Sequence, residues 1–118
     1  MELVSEELDD GILRINLSGR MDNAGVQSID MKFTALTATR KALIVVDLSG
    51  VPFVASIGIR TLVSNARALR LRGGRMALFG AQPVVDEVLR TTGITTIIPT
   101  YADLQKAREA LKAPAEQP

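Results

Sequence analysis

The period of hydrophobic and polar positions changes several times along the chain, and each change marks an element. Residues 2–8 read as a first strand, and DDG supplies a turn. In ILRINLSGR, the rough alternation from Ile12 to Leu17 predicts a half-buried strand, which RMDNAG ends. Val26, Ile29, Phe33 and Leu36 then recur at a spacing near 3.6. That predicts a helix from Asn23 to about Ala38, capped by Asp22 or Asn23. Leu43 to Val46 is a continuous run rich in β-branched residues, as a central strand requires.

In the second predicted helix, Ile59, Leu62, Val63, Ala66 and Leu69 form one apolar stripe. Arg60, Ser64, Arg67 and Arg70 fall elsewhere on its surface. RGGR stops it, with Gly73 or Gly74 suited to a left-handed cap. MALFG reads as a short strand. QPVVDEVLRTTG reads as a helix with Pro83 in its first turn, Asp86 and Glu87 early, Arg90 late and Gly93 beyond its end. TTIIP reads as another strand and TYADLQKAREAL as a closing helix, with Thr100 and Asp103 spaced as a capping box. KAPAEQP predicts a frayed tail, so residues 1–112 are expected as one domain and 113–118 as a disordered end. The order ββαβαβαβα implies an α/β domain with a largely parallel sheet and one antiparallel strand from the opening hairpin. In such sheets functional groups gather outside the carboxyl ends of the strands. The turns after residues 18 and 47 both lie there.

Composition narrows the chemistry. Of 118 residues, 47% are hydrophobic, which supports a real core. Fourteen Lys and Arg against 13 Asp and Glu give no electrostatic case for nucleic acid, and aromatics at 3% give no stacking platform. There is no cysteine or histidine, so thiolate metal sites, cysteine nucleophiles and the commonest general base are excluded. No cofactor or metal is expected. No apolar run approaches the roughly 18–20 residues of a membrane span. The acidic start MELVSEELDDG is unlike a signal peptide. A cytoplasmic protein without membrane insertion is expected.

Ser56 is the sharpest candidate. It stands where a helix cap belongs, just before the stripe that begins at Ile59. Its hydroxyl is expected to accept a backbone N–H, an interaction of about 1 kcal/mol. The second reading is phosphorylation, since a helix start presents free N–H groups and a positive dipole end. Both readings can hold together. Asp47 and Ser49 read as turn formers, and Asp22 and Asn23 as cap residues. Each could also flank a Ser56 pocket. A catalytic pair of Asp22 and Asp47 would need a substrate cleft that no motif indicates. No phosphate-binding glycine loop is present. Arg60, Arg67, Arg70, Arg72 and Arg75 make the middle of the chain basic. They read as a solvated face, or as a docking surface for an acidic partner.

GRMDNAG, then VVDLSGVPFVASIGIRTLV, then MALFGAQPVVDEVLRTTGI together resemble the STAS domain of anti-sigma-factor antagonists, over about residues 5–111. The resemblance implies a small mixed sheet of about five strands, mostly parallel, with about four helices. It implies a non-enzyme that binds an anti-sigma factor, itself an ATPase-type serine kinase. Phosphorylation by that kinase would end the binding, and a serine phosphatase would restore it. The family serine falls on Ser56, its helix glycine on Gly58 and the next aliphatic on Ile59. The family aspartates fall on Asp22 and Asp47. The implied contact surface takes in Asp22 and Asn23, the turn from Ser49 to Ile57 with Val54 and Ala55, and the following helix at Arg60. Two positions depart: Ala55 stands where the family has Asp, and Ile57 where it has a hydroxyl residue. Those departures favour an alternative, a non-switching accessory subunit of a signalling scaffold or a membrane transport system.

Overall fold

The computed structural model describes residues 1–38 and 42–113. In chain order they form β1 (Glu2–Glu7), β2 (Leu13–Ser18), α1 (Asn23–Ala38), β3 (Leu43–Gly50), α2 (Ser56–Leu71), β4 (Arg75–Phe79), α3 (Pro83–Thr91), a 3-10 turn (Ile94–Thr96), β5 (Thr100–Tyr101) and α4 (Leu104–Lys112). The five strands lie side by side in sequence order, β1-β2-β3-β4-β5. β1 pairs antiparallel with β2, and every other pairing is parallel. The mixed α/β sheet and its four helices match the sequence reading. Its parallel strands finish together at one edge, where Ser18 pairs with Gly50 and Phe79 with Tyr101. That alignment brings the loops after β2, β3 and β4 onto one surface.

Alternation along the strands builds two cores. Leu13, Ile15 and Leu17 of β2, Ile44, Val46 and Leu48 of β3, and Met76 and Leu78 of β4 face one side. There they meet Val26, Ile29 and Phe33 of α1, Leu62, Ala66 and Leu69 of α2, and Val85 and Leu89 of α3. On the other side Ile12, Val45, Ala77 and Phe79 pack against Ala107 and Leu111 of α4. β3 is therefore apolar on both faces, which is why Leu43–Val46 reads as an unbroken run.

Three expectations are corrected. TTIIP is not a strand: Ile94–Thr96 form a 3-10 turn, and Ile94 and Ile98 are buried from irregular backbone. Ile98 serves burial rather than pairing, and the carbonyl of Pro99 accepts the Leu78 N–H at 2.9 Å. The strand falls one step later, on Thr100–Tyr101. Second, α4 begins at Leu104, capped by Asp103, whose carboxylate accepts the Lys106 N–H at 2.9 Å. The Thr100 hydroxyl donates instead to the Ile98 carbonyl at 3.3 Å. Third, α2 packs the expected stripe on the core but buries more than that stripe. Its buried residues are Gly58, Thr61, Leu62, Asn65, Ala66 and Leu69, and Ile59 and Val63 are half-buried at the flanks. Thr61 and Asn65 escape a hydrophobicity search because they are polar, and Asn65 is buried with its amide satisfied internally. The Asn65 amide donates to the Thr61 carbonyl at 2.8 Å and its oxygen accepts the Thr37 hydroxyl at 2.6 Å. That bond pins α1 to α2 where an unpaired amide would be costly.

α2 ends as expected at Gly73, whose φ of 84° suits glycine and whose N–H donates to the Arg70 carbonyl at 2.9 Å. Of the expected frayed tail, residues 114–118 lie outside the described residues.

The opening hairpin and α4 are clasped by charge. Asp10 accepts from Arg108 at 2.7 Å and from Lys112 at 3.1 Å, and Asp9 pairs with Arg108 at 3.0 Å. Burial would raise the Asp10 pKa, but Arg108, Lys112 and the Ile12 N–H together bring it down to about 2. A carboxylate depressed in the folded state stabilises fully above its ordinary value, and that contribution disappears as pH falls through the depressed value. Wild type should therefore lose more stability between about pH 5 and about pH 2 than Asp10→Asn does. Urea unfolding across that range measures it; parallel pH profiles would show that the clasp contributes nothing.

Candidate functional site

Beyond the ends of β2 and β3, the two chains stay paired. The Gly19 N–H donates to the Gly50 carbonyl at 2.9 Å, and the Met21 N–H to the Phe53 carbonyl at 2.8 Å. The Ala55 N–H donates back to the Met21 carbonyl at 3.0 Å, and Met21 and Val54 form a parallel bridge. After a turn in which the Val51 N–H donates to the Leu48 carbonyl at 2.9 Å, residues 53–55 are thus held against Met21. Ala55, at φ −96° and ψ 173°, is the cap position of α2, and its carbonyl accepts from Gly58 and Ile59.

Ser56 is consequently the first helical residue and not the cap, and no side chain caps the helix. The expected bond from a backbone N–H to the Ser56 hydroxyl is absent. The cap needs extended backbone, and pairing with Met21 places that conformation on Ala55, whose methyl accepts nothing. The helix start therefore has no side-chain acceptor: the Gly58 and Ile59 amides are taken by the Ala55 carbonyl, which leaves those of Ser56 and Ile57. The Ser56 side chain is exposed.

The seat beneath Ser56 depends on Gly58. A Cβ there would stand 2.7 Å from Met21 Cγ and 2.8 Å from Val54 Cγ2. Only glycine lets the first turn of α2 lie this close to the bridge. Val54 and Gly58 are buried, while Ala55, Ile57 and Ile59 are half-buried, with the two isoleucines packed on the main core. Ile57 thus anchors the helix start through its inward packing. Asn23, Ser49, Ser56 and Arg60 are exposed at or near the same edge.

The two aspartates are occupied by structure. Asp22 caps α1: its Oδ1 accepts the Gly25 N–H at 2.9 Å, and Arg20 approaches Oδ2 at 3.4 Å. The Gly25 bond leads in lowering its pKa, against burial and with help from Arg20. Asp47 accepts the Ser49 N–H at 2.9 Å and the Arg14 guanidinium at 2.8 Å, with only 13% of its side chain exposed. Burial pushes its pKa up, but the Ser49 hydroxyl and amide and the Arg14 guanidinium outweigh that and leave it lowered. Asp47 therefore shapes the turn, as its position in DLSG suggests, although β3 continues through it to Gly50. Among the described residues, no group of three or more acidic, histidine or cysteine side chains could hold a metal ion.

Sequence reading missed three supports of this edge. Arg14 reaches Asp47 and stacks over Phe79, 5.4 Å from the ring centre. Its signal was one cation at an outward position of an apolar strand. Arg20 lies 4.2 Å over the Phe53 ring beside the Met21–Val54 bridge. Gln82, the residue before Pro83, donates to the Ser49 carbonyl at 2.9 Å and ties the start of α3 to the turn. No sequence spacing announces either of these last two contacts.

Comparison with known proteins adds to this geometry. A family model described as the STAS domain matches residues 4–107. BtrV of Bordetella bronchiseptica, named as a candidate anti-sigma factor antagonist, is 27% identical over 112 residues, spanning 95% of this chain and 96% of its own. An anti-sigma factor antagonist from Mycobacterium paratuberculosis superposes with a TM-score of 0.86 at 24% identity, over 95% of this chain and 94% of that one. SpoIIAA, at 20% identity, superposes with a TM-score of 0.77 in its unphosphorylated form, over 98% of this chain and all of that one. In the phosphorylated form of SpoIIAA from Bacillus, also at 20% identity, the TM-score is 0.70, over 94% of this chain and all of that one. At such identities these structures establish the fold.

The seat is directly testable. Gly58→Ala forces a methyl into Met21 and Val54 and should destabilise the fold by about 1–3 kcal/mol. Ser64→Ala, on the exposed side of the same helix, should change stability by less than about 0.5 kcal/mol. Equal unfolding midpoints for the two variants would contradict the close approach.

Proposed function

The chain belongs to the STAS domain family, and we propose that within it the protein is an anti-sigma-factor antagonist switched off by phosphorylation of Ser56. The observation that carries the reading is the exposed, uncapped hydroxyl of Ser56, standing on a helix start that buried Gly58 and Val54 hold in place. Relatives named as antagonists, and SpoIIAA in two phosphorylation states, support it. The partner in this reading is an anti-sigma factor that is also an ATPase-type serine kinase, met in the cytoplasm.

In the binding state Ser56 is unmodified, and the partner covers the edge formed by Asp22, Asn23, Ser49 and the start of α2. The kinase then transfers the γ-phosphoryl group of ATP to the Ser56 oxygen. A new P–O bond forms, the bond to ADP breaks, and the hydroxyl proton leaves to the kinase. The product carries close to two negative charges beside the Ser56 and Ile57 amides at the positive end of α2, which favour them locally. Within the partner contact the same charge is desolvated and ejects the partner. A phosphatase hydrolyses the ester and returns the hydroxyl. The chain is the substrate of both reactions and performs neither. Ala55, in place of the family aspartate, leaves one fewer carboxylate beside the phosphate.

Ser56→Ala should bind the cognate anti-sigma factor as wild type does, and Ser56→Asp should lose at least about tenfold in affinity. Titration calorimetry against purified anti-sigma factors of the source organism measures both. Equal binding by the two variants, with no phosphoryl mass gain on incubation with ATP and those kinases, would favour the non-switching accessory role instead.

A further inference from the structure

The arginines among the described residues divide into two groups. Arg14, Arg20, Arg90 and Arg108 each pair with a carboxylate. Arg60, Arg67, Arg70, Arg72 and Arg75 have no carboxylate partner among the described residues. Arg72 and Arg75 spend their donors on backbone carbonyls, those of Ala68, Leu111 and Ala113. Arg60, Arg67 and Arg70 are exposed on α2, a sixteen-residue helix with no acidic side chain.

Helical geometry places them in line. At about 100° per residue, Ser56, Arg60, Ser64, Arg67, Arg70 and Leu71 fall on one arc of α2. That arc lies opposite the face that buries Gly58, Leu62, Asn65 and Leu69. It runs about 22 Å from the phosphorylation candidate and ends on Leu71, which is 89% exposed. A helix whose apolar face is already in the core cannot also lay that face into a lipid surface. Three guanidinium groups in single file, in a chain of net charge +1 and with no aromatic residue on the helix, do not make a nucleic-acid platform.

We infer that the outward face of α2 docks an acidic surface of the partner protein through Arg60, Arg67 and Arg70, with Leu71 as its apolar end. The inference rests on the reading that Ser56 lies in the partner interface, and it gives that switch a second physical component. Arg60 follows Ser56 by one turn, so a phosphate on Ser56 faces it as a helical neighbour. The dianion occupies the first arginine of the file, cancels most of the positive charge of the docking face and leaves its Ser56 end net negative where the acidic partner approaches.

The test is a titration of the full chain with an anti-sigma factor that it binds, at about 0.05 M and about 0.5 M salt. Wild type should weaken at least about tenfold across that range. The neutral variant R60Q/R67Q/R70Q should bind about tenfold more weakly at low salt and respond little to added salt, with an unchanged melting temperature. Lys106→Gln, exposed on α4, should keep the wild-type response. A triple variant with wild-type affinity and salt response overturns the inference. So does an arginine dependence seen with double-stranded DNA or phosphatidylserine vesicles and not with the anti-sigma factor. Ser56→Asp in the same titration separates the two readings. If it loses binding and the triple variant does not, the acidic docking face fails and the switch stands. If the triple variant loses binding and Ser56→Asp does not, the switch fails and the docking face stands. Failure of every anti-sigma factor to bind wild type sinks both.

Discussion

The absence of a side chain at Gly58 is the constraint on which the rest of the molecule's presentation depends. Because nothing stands between α2 and the Met21–Val54 bridge, the helix start rests directly on paired backbone. The bridge extends the pairing of β2 and β3 past their ends, so the seat shares the rigidity of the central sheet. Ala55 is locked as the cap, and the next residue must leave the seat outward. Ser56 is exposed for that geometric reason. Its hydroxyl is free of capping because the pairing with Met21 places the cap position on Ala55.

Carboxylates and guanidinium groups divide the electrostatic work. Asp22 caps α1, Asp47 holds the turn at Ser49, and Asp10 clasps α4 to the hairpin. All three are held below the ordinary carboxylate range by hydrogen bonds and cations that outweigh burial. Acids so committed are poor candidates for proton transfer. Of the described guanidinium groups without a carboxylate partner, Arg60, Arg67 and Arg70 lie on α2, with Arg60 one turn from the serine. A nearly neutral chain thereby has a polarised surface, which its total of 14 cations and 13 anions conceals.

Most of the architecture was legible because it follows from periodicity. The boundaries of α1 come from the spacing of Val26, Ile29 and Phe33, and β3 announces itself by burial on both faces. The errors over TTIIP and the buried face of α2 share one cause, which is that hydrophobicity reports burial only in part and backbone conformation not at all. Ile94 and Ile98 are buried without being a strand, and Asn65 is buried without being apolar. At the site, the resemblance located Ser56, Asp22 and Asp47. The cap exchange between Ser56 and Ala55 was not legible, because it depends on a hydrogen bond to Met21, 34 residues earlier. The contacts of Arg14, Arg20 and Gln82 are hidden for the same reason: each joins segments that only the folded sheet brings together.

A fixed seat and a change of charge together require that the proposed phosphorylation act at the surface and leave the scaffold alone. Amide NMR spectra of the chain before and after phosphorylation of Ser56 test that most directly. The account predicts large shifts confined to the first turn of α2 and to the loop around Asp22, with β3, β4 and the far end of α2 unmoved. Shifts of comparable size throughout the sheet would contradict it, because the phosphate would then be remaking the fold rather than recharging its edge.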